Sequence, residues 1–133
     1  MGLFSRGTKK PRSRFPSDML HLLERFGRDE STPGGGLDPF ERMKLIERVV
    51  APFVQQANAD PHGFFADLQS VVADDAGGFA TFGAARLVWE LLYGDVRDNP
   101  PPPALALVKA GIEFKRAHGL GLSMWEMSLA RLP

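Results

Sequence analysis

Few residues in this 133-residue chain are of a type and spacing that could do chemistry. His21, His62 and His118 are its only imidazoles. A hydrolytic metal site wants two of them four apart on one helix, and acid–base work wants one beside a nucleophile. These three are scattered. They read as partly exposed helix residues, with His118 at a helix end near a carbonyl. Asp74-Asp75 supplies two carboxylates, the ligand type of a hard cation. Adjacent residues on a turn point apart, however, and no third ligand is indicated. Gly34-Gly35-Gly36 has neither the preceding strand nor the following Lys-Ser or Lys-Thr of a phosphate loop. Arg86 and Glu90 share one helix face, where they can either organise a site or hold a helix contact. Absence of cysteine removes disulfides, thiolate metal sites and thiol nucleophiles. No nucleophile, base and metal set converges, so the expectation is a non-catalytic protein with no cofactor, metal or small-molecule substrate.

Charge is the second source of candidates. The net charge is zero, but Arg6, Lys9, Lys10, Arg12 and Arg14 give residues 1–16 a charge of +5. The remainder holds 11 basic against 16 acidic side chains, or −5. A basic arm on an acidic body can neutralise phosphates in a salt-sensitive, sequence-blind manner, can reach an acidic protein, or can simply solubilise. Met1, Leu3 and Phe4 ahead of Arg6, Lys9 and Lys10 could touch an anionic membrane, but one short apolar anchor binds only marginally. Position 6 is Arg, which rules out the myristoylation pattern that Met-Gly-Leu-Phe-Ser otherwise suggests. No signal core and no run of about 18 apolar residues is present, which fits a cytoplasmic protein. Plentiful Gly, Ala, Pro and Arg suggest a GC-rich bacterial genome.

The third candidate is the C-terminal stretch. Ser123 with Glu126 three residues on is a capping box, and Leu122 with Met127 is placed as its hydrophobic staple. The short helix that follows carries Met124, Trp125, Met127, Leu129 and Leu132, apolar on more than one side. Met and Trp are common interface anchors. A site for a protein partner is therefore expected at Met124, Trp125, Met127 and Leu129. Ala117, Gly121, Leu122, Met127 and Ala130 also fit part of a helix-turn-helix spacing. The second helix of that pair lacks the Arg, Lys, Asn and Gln that read base edges.

The elements that must position these residues are helical. Phe79–Tyr93 is apolar on nearly every face, which marks a buried central helix, with Gly94 as its left-handed stop. Ser17 starts a helix with Met19, Leu22, Leu23 and Phe26 on one stripe and Gly27 and Arg28 at its end. A Gly-rich linker spans residues 29–37. Asp38-Pro39 starts the next helix, whose expected buried side is Phe40, Met43, Ile46, Val49, Val50 and Phe53. Pro52 should kink or split it. Asp60-Pro61 repeats the start before Phe64, Phe65, Leu68, Val71 and Val72. A Pro-rich linker spans 95–103, and Pro103 can open the helix of Leu105, Leu107, Val108, Ile112 and Phe114, which ends near His118-Gly119.

No stretch alternates like a strand. The expected fold is all-α: one small domain, residues 17–133, of five to six helices in an irregular orthogonal bundle, with residues 1–16 as a flexible basic arm. Residues 38–93 should form its rigid core. The expected function is a protein-interaction module (adaptor, inhibitor, immunity-type or regulatory subunit) using the C-terminal helix and the arm. A nucleic-acid accessory protein acting through the arm is the second reading.

Overall fold

A computed structural model of the chain describes residues 14–32 and 36–132. They form a single all-helical domain with eight helices and no strand among the described residues. In chain order these are α1 Met19–Ser31, α2 Pro39–Val49, α3 Val54–Ala59, α4 Pro61–Val71, α5 Phe79–Leu91, α6 Gly94–Asp98, α7 Pro102–Ala117 and α8 Met124–Ala130.

The expected central helix is central. α1 and α7 both pack on α5; α2 then packs on α1, and α4 and α8 on α7. Ala80, Phe82, Ala84, Leu87, Val88 and Leu91 of α5 are all buried. Close approach comes from small residues. A Cβ at Gly83 would sit 2.2 Å from the Leu23 carbonyl oxygen, and one at Gly27 would sit 1.9 Å from that of Phe79. No side chain fits there, so α1 and α5 touch backbone to backbone at this crossing. Gly27 therefore does not end α1, as its type suggests. It lies mid-helix because the crossing requires it.

Three boundaries move for identifiable reasons. α1 continues through Asp29, Glu30 and Ser31, so the linker begins three residues later than composition implies. Pro52 splits rather than bends: α2 ends at Val49 and α3 starts at Val54, as expected where a proline cannot donate to the carbonyl four residues back. The 95–103 linker contains α6, and α7 starts at Pro102, one residue early; Pro101 ahead of it is in the polyproline conformation. The split and α6 raise the helix count above the expected five to six.

The arm also ends sooner. Phe15 is buried, edge-on to Phe53 at 5.2 Å and Phe64 at 5.3 Å. Arg14 Nε lies 2.6 Å from Asp67 Oδ2 and its guanidinium 5.7 Å from the centre of the Phe64 ring. Arg14 and Phe15 thus belong to the domain. Arg6, Lys9, Lys10 and Arg12 lie outside the described residues.

Candidate docking surface

α8 is mounted on α7 by a buried polar clamp. Ser123 caps the helix: its Oγ accepts from Glu126 N at 3.0 Å, and Glu126 Oε1 accepts from Ser123 N at 2.8 Å. The same Oε1 accepts from Lys115 Nζ of α7 at 2.6 Å. Glu126 is only 5% exposed. Burial alone would push its carboxyl up; Lys115 and the Ser123 amide outweigh it and hold the group below the ordinary carboxylate range.

Trp125 adds a second fastening. Its ring meets Trp89 edge-on at 5.0 Å, and its Nε1 donates to the Arg97 carbonyl at 3.1 Å. Arg97 in turn caps the end of α5, donating to the carbonyls of Leu92 at 2.7 Å and Trp89 at 3.0 Å. Its guanidinium stacks 3.9 Å from the Trp89 ring centre. Leu129 is 2% exposed and lies in the core.

The four C-terminal candidates are therefore divided. Trp125 and Leu129 face inward, because a seven-residue helix closing the domain must give one side to its support. Met124 and Met127 remain outside, 83% and 44% exposed, joined by Leu132 at 40%. Met127 so exposed leaves Leu122, half-buried against the core, as the only inward half of the expected staple.

A second apolar surface was assigned by spacing to the wrong side. Phe40 and Met43 were expected inside and are 60% and 54% exposed. α2 buries only Leu45 and Val49, since α1 is its main support and covers it along one edge. Lys44 Nζ sits 4.6 Å from the centre of the exposed Phe40 ring. A shallow groove of about 370 Å³ runs beside Met43, lined by Leu37, Pro39, Arg42, Ile46 and Glu47.

α2 is fastened by Asp29, a residue the sequence marks only as linker. Its carboxylate, 3% exposed as a residue, accepts from Gly36 N at 2.7 Å, Leu37 N at 2.8 Å and Arg42 Nη2 at 3.1 Å. Arg42 Nε adds an ion contact at 2.7 Å, with its N–H off the line of a hydrogen bond. Burial would push the Asp29 carboxyl up; Arg42 and the Leu37 and Gly36 amides outweigh it and hold the group low.

The residues first considered for chemistry are not brought together. His21 and His62 are exposed on separate helices. His118 stacks on Phe114 at 3.9 Å, its Nδ1 2.8 Å from the Phe114 carbonyl oxygen. Asp75 caps α5 by accepting from Thr81 N and Oγ1 at 2.8 and 3.0 Å, while Asp74 is exposed. Arg86 pairs with Glu90 at 3.5 Å and, across to α1, with Glu30 at 3.1 Å. Among the described residues no group of three His, Asp or Glu could hold a metal ion. No helix among them is long and apolar enough to cross a membrane. The segment between Ala117 and Met124 is longer than the three to four residues of a helix-turn-helix, and α8 turns out methionines rather than base-reading groups.

Neither family models nor curated proteins nor solved structures match the chain. The functional reading rests on its own surfaces.

Proposed function

We propose that this chain is a protein-interaction module without catalytic chemistry of its own, and that it docks a partner through the outer face of α8. One observation carries the reading. Met124 and Met127 stand exposed on a helix that the Lys115–Glu126 contact and the Trp125–Arg97 hydrogen bond hold in place. A fixed mount leaves little backbone ordering to be lost on binding, and the flexible methionine thioether adapts to the partner's surface. Methionine is enriched at protein interfaces relative to the rest of protein surfaces. The positive charge of Arg6, Lys9, Lys10 and Arg12 favours an acidic partner. The charge asymmetry of the chain also favours a second reading, nucleic-acid binding through those four cations.

The test is affinity capture of the tagged full chain from its host lysate, with and without nuclease, beside the double variant Met124→Ser/Met127→Ser. The expected result is a stoichiometric polypeptide that survives nuclease and is lost with the double variant, whose melting temperature is unchanged. Retention of the partner by that variant overturns the α8 assignment. Recovery of nucleic acid alone moves the function to the arm.

A further inference from the structure

We infer that the outer face of α2 is a self-association surface, on which a second copy of the chain docks with its own α2 parallel to the first. Pro39, Met43, Ile46 and Val50 recur at spacings of four, three and four, the two seam positions of a heptad. Pro39 and Met43 are exposed, while Ile46 and Val50, the latter just past the helix end, are half-buried, one side of each against the core and the other still open. The residues α2 buries are others, Leu45 and Val49. The apolar arc of the helix thus extends past the part that the fold covers, fully open at Pro39 and Met43 and half open at Ile46 and Val50. The groove beside Met43 follows that open part.

Charge selects the occupant. Arg42 precedes the seam residue Met43, and Glu47 follows the seam residue Ile46. These are the two flanking positions of the heptad. In a parallel pair each flank faces the opposite flank of the other helix, so Arg42 of each copy meets Glu47 of its partner copy, five residues on. In an antiparallel pair like flanks meet and the two charges miss each other. Asp29 already holds the Arg42 guanidinium, so little side-chain entropy remains to be lost when Glu47 arrives. The outer edge of Arg42 stays accessible, its side chain being 37% exposed. An eleven-residue helix is about 16 Å long, which limits the interface to the small, reversible class.

The experiment is sedimentation equilibrium of the full chain from about 1 to 500 μM, a range that brackets a dissociation constant in the tens to hundreds of micromolar. The average mass should climb from 14.6 kDa toward twice that value. Met43→Glu, at an exposed site, and Glu47→Arg, which sets like charges face to face, should each weaken association at least about tenfold with unchanged melting temperature. In a parallel seam the two copies of position 43 face each other. Met43→Cys in this cysteine-free chain should therefore form a disulfide-linked dimer on mild oxidation. A monomer across the whole range overturns the inference and leaves the face to a different protein. So does a dimer indifferent to both charge variants. A dimer that Met43→Cys does not cross-link overturns the parallel arrangement.

Discussion

α2 and α8 are both edge helices, and each is fastened to the domain by one buried carboxylate. Asp29 does it for α2 and Glu126 for α8; they are the only buried charged residues among those described. Both accept from a backbone amide and a cation, and both are held low for it. The difference lies in where the donors come from. Glu126 takes the amide three residues behind it, in its own helix cap, and one lysine from the neighbouring helix. Asp29 reaches forward seven, eight and thirteen residues, tying the end of α1 to the turn at Gly36-Leu37 and to α2 itself. A local clamp shapes one helix and adds a tether. A non-local clamp has no function until the chain has folded back, and then it sets the position of a whole element.

The comparison predicts unequal damage. Asp29→Ala strands the part-buried amides of Gly36 and Leu37 and removes the partner of Arg42. It should destabilise the domain by about 3 kcal/mol in urea unfolding, with α2 amides losing hydrogen-exchange protection first. If α2 keeps its protection, the clamp is not what holds it. Glu126→Ala loses the capping box and leaves Lys115 unpaired, for about 2 kcal/mol. Glu126→Gln keeps an acceptor for Ser123 N and should recover roughly half of that. Fluorescence of the Trp89–Trp125 pair, whose rings are in contact, reads the detachment of α8. Acid gives the smallest effect. Both carboxyls titrate lower in the folded chain than in the unfolded one. Their contribution is thus fully present above the ordinary carboxylate values near pH 4, and is lost as pH falls through the lowered folded values. Asp29→Asn should flatten the acid limb of the stability curve more than Glu126→Gln does. Equal slopes would mean that the two clamps are equivalent after all.

Residue by residue, the clamps also show what could be read in advance. Ser123 and Glu126 are three apart, and the box they form is as expected. Asp38 and Asp60 accept from the amides of Glu41 and Gly63, as their place before proline implies. These signals survive because a cap closes within one helical turn. Asp29 left no such mark; it sits before Ser-Thr-Pro-Gly and looks like linker. Phe40 and Met43 were misassigned because periodicity identifies an apolar face without telling whether another helix covers it. Arg97 carried a faint signal, a cation shortly after the end of an apolar helix, where free carbonyls wait.

The sequence by itself determined the all-helical class, the helix starts at Asp38, Asp60 and Ser123, an interruption at Pro52, whether kink or split, and the central place of the Phe79–Tyr93 stretch. Each follows from chemistry acting within a few residues: caps, proline sterics and apolar periodicity. Only the tertiary structure decided which apolar side chains are inside. It drew Trp125 and Leu129 inward, left Met124, Met127, Phe40 and Met43 outside, and brought Asp29 to Arg42. Those outcomes depend on which helix faces which, and that is set by backbone contacts such as Gly27 against Gly83, between residues far apart in the chain.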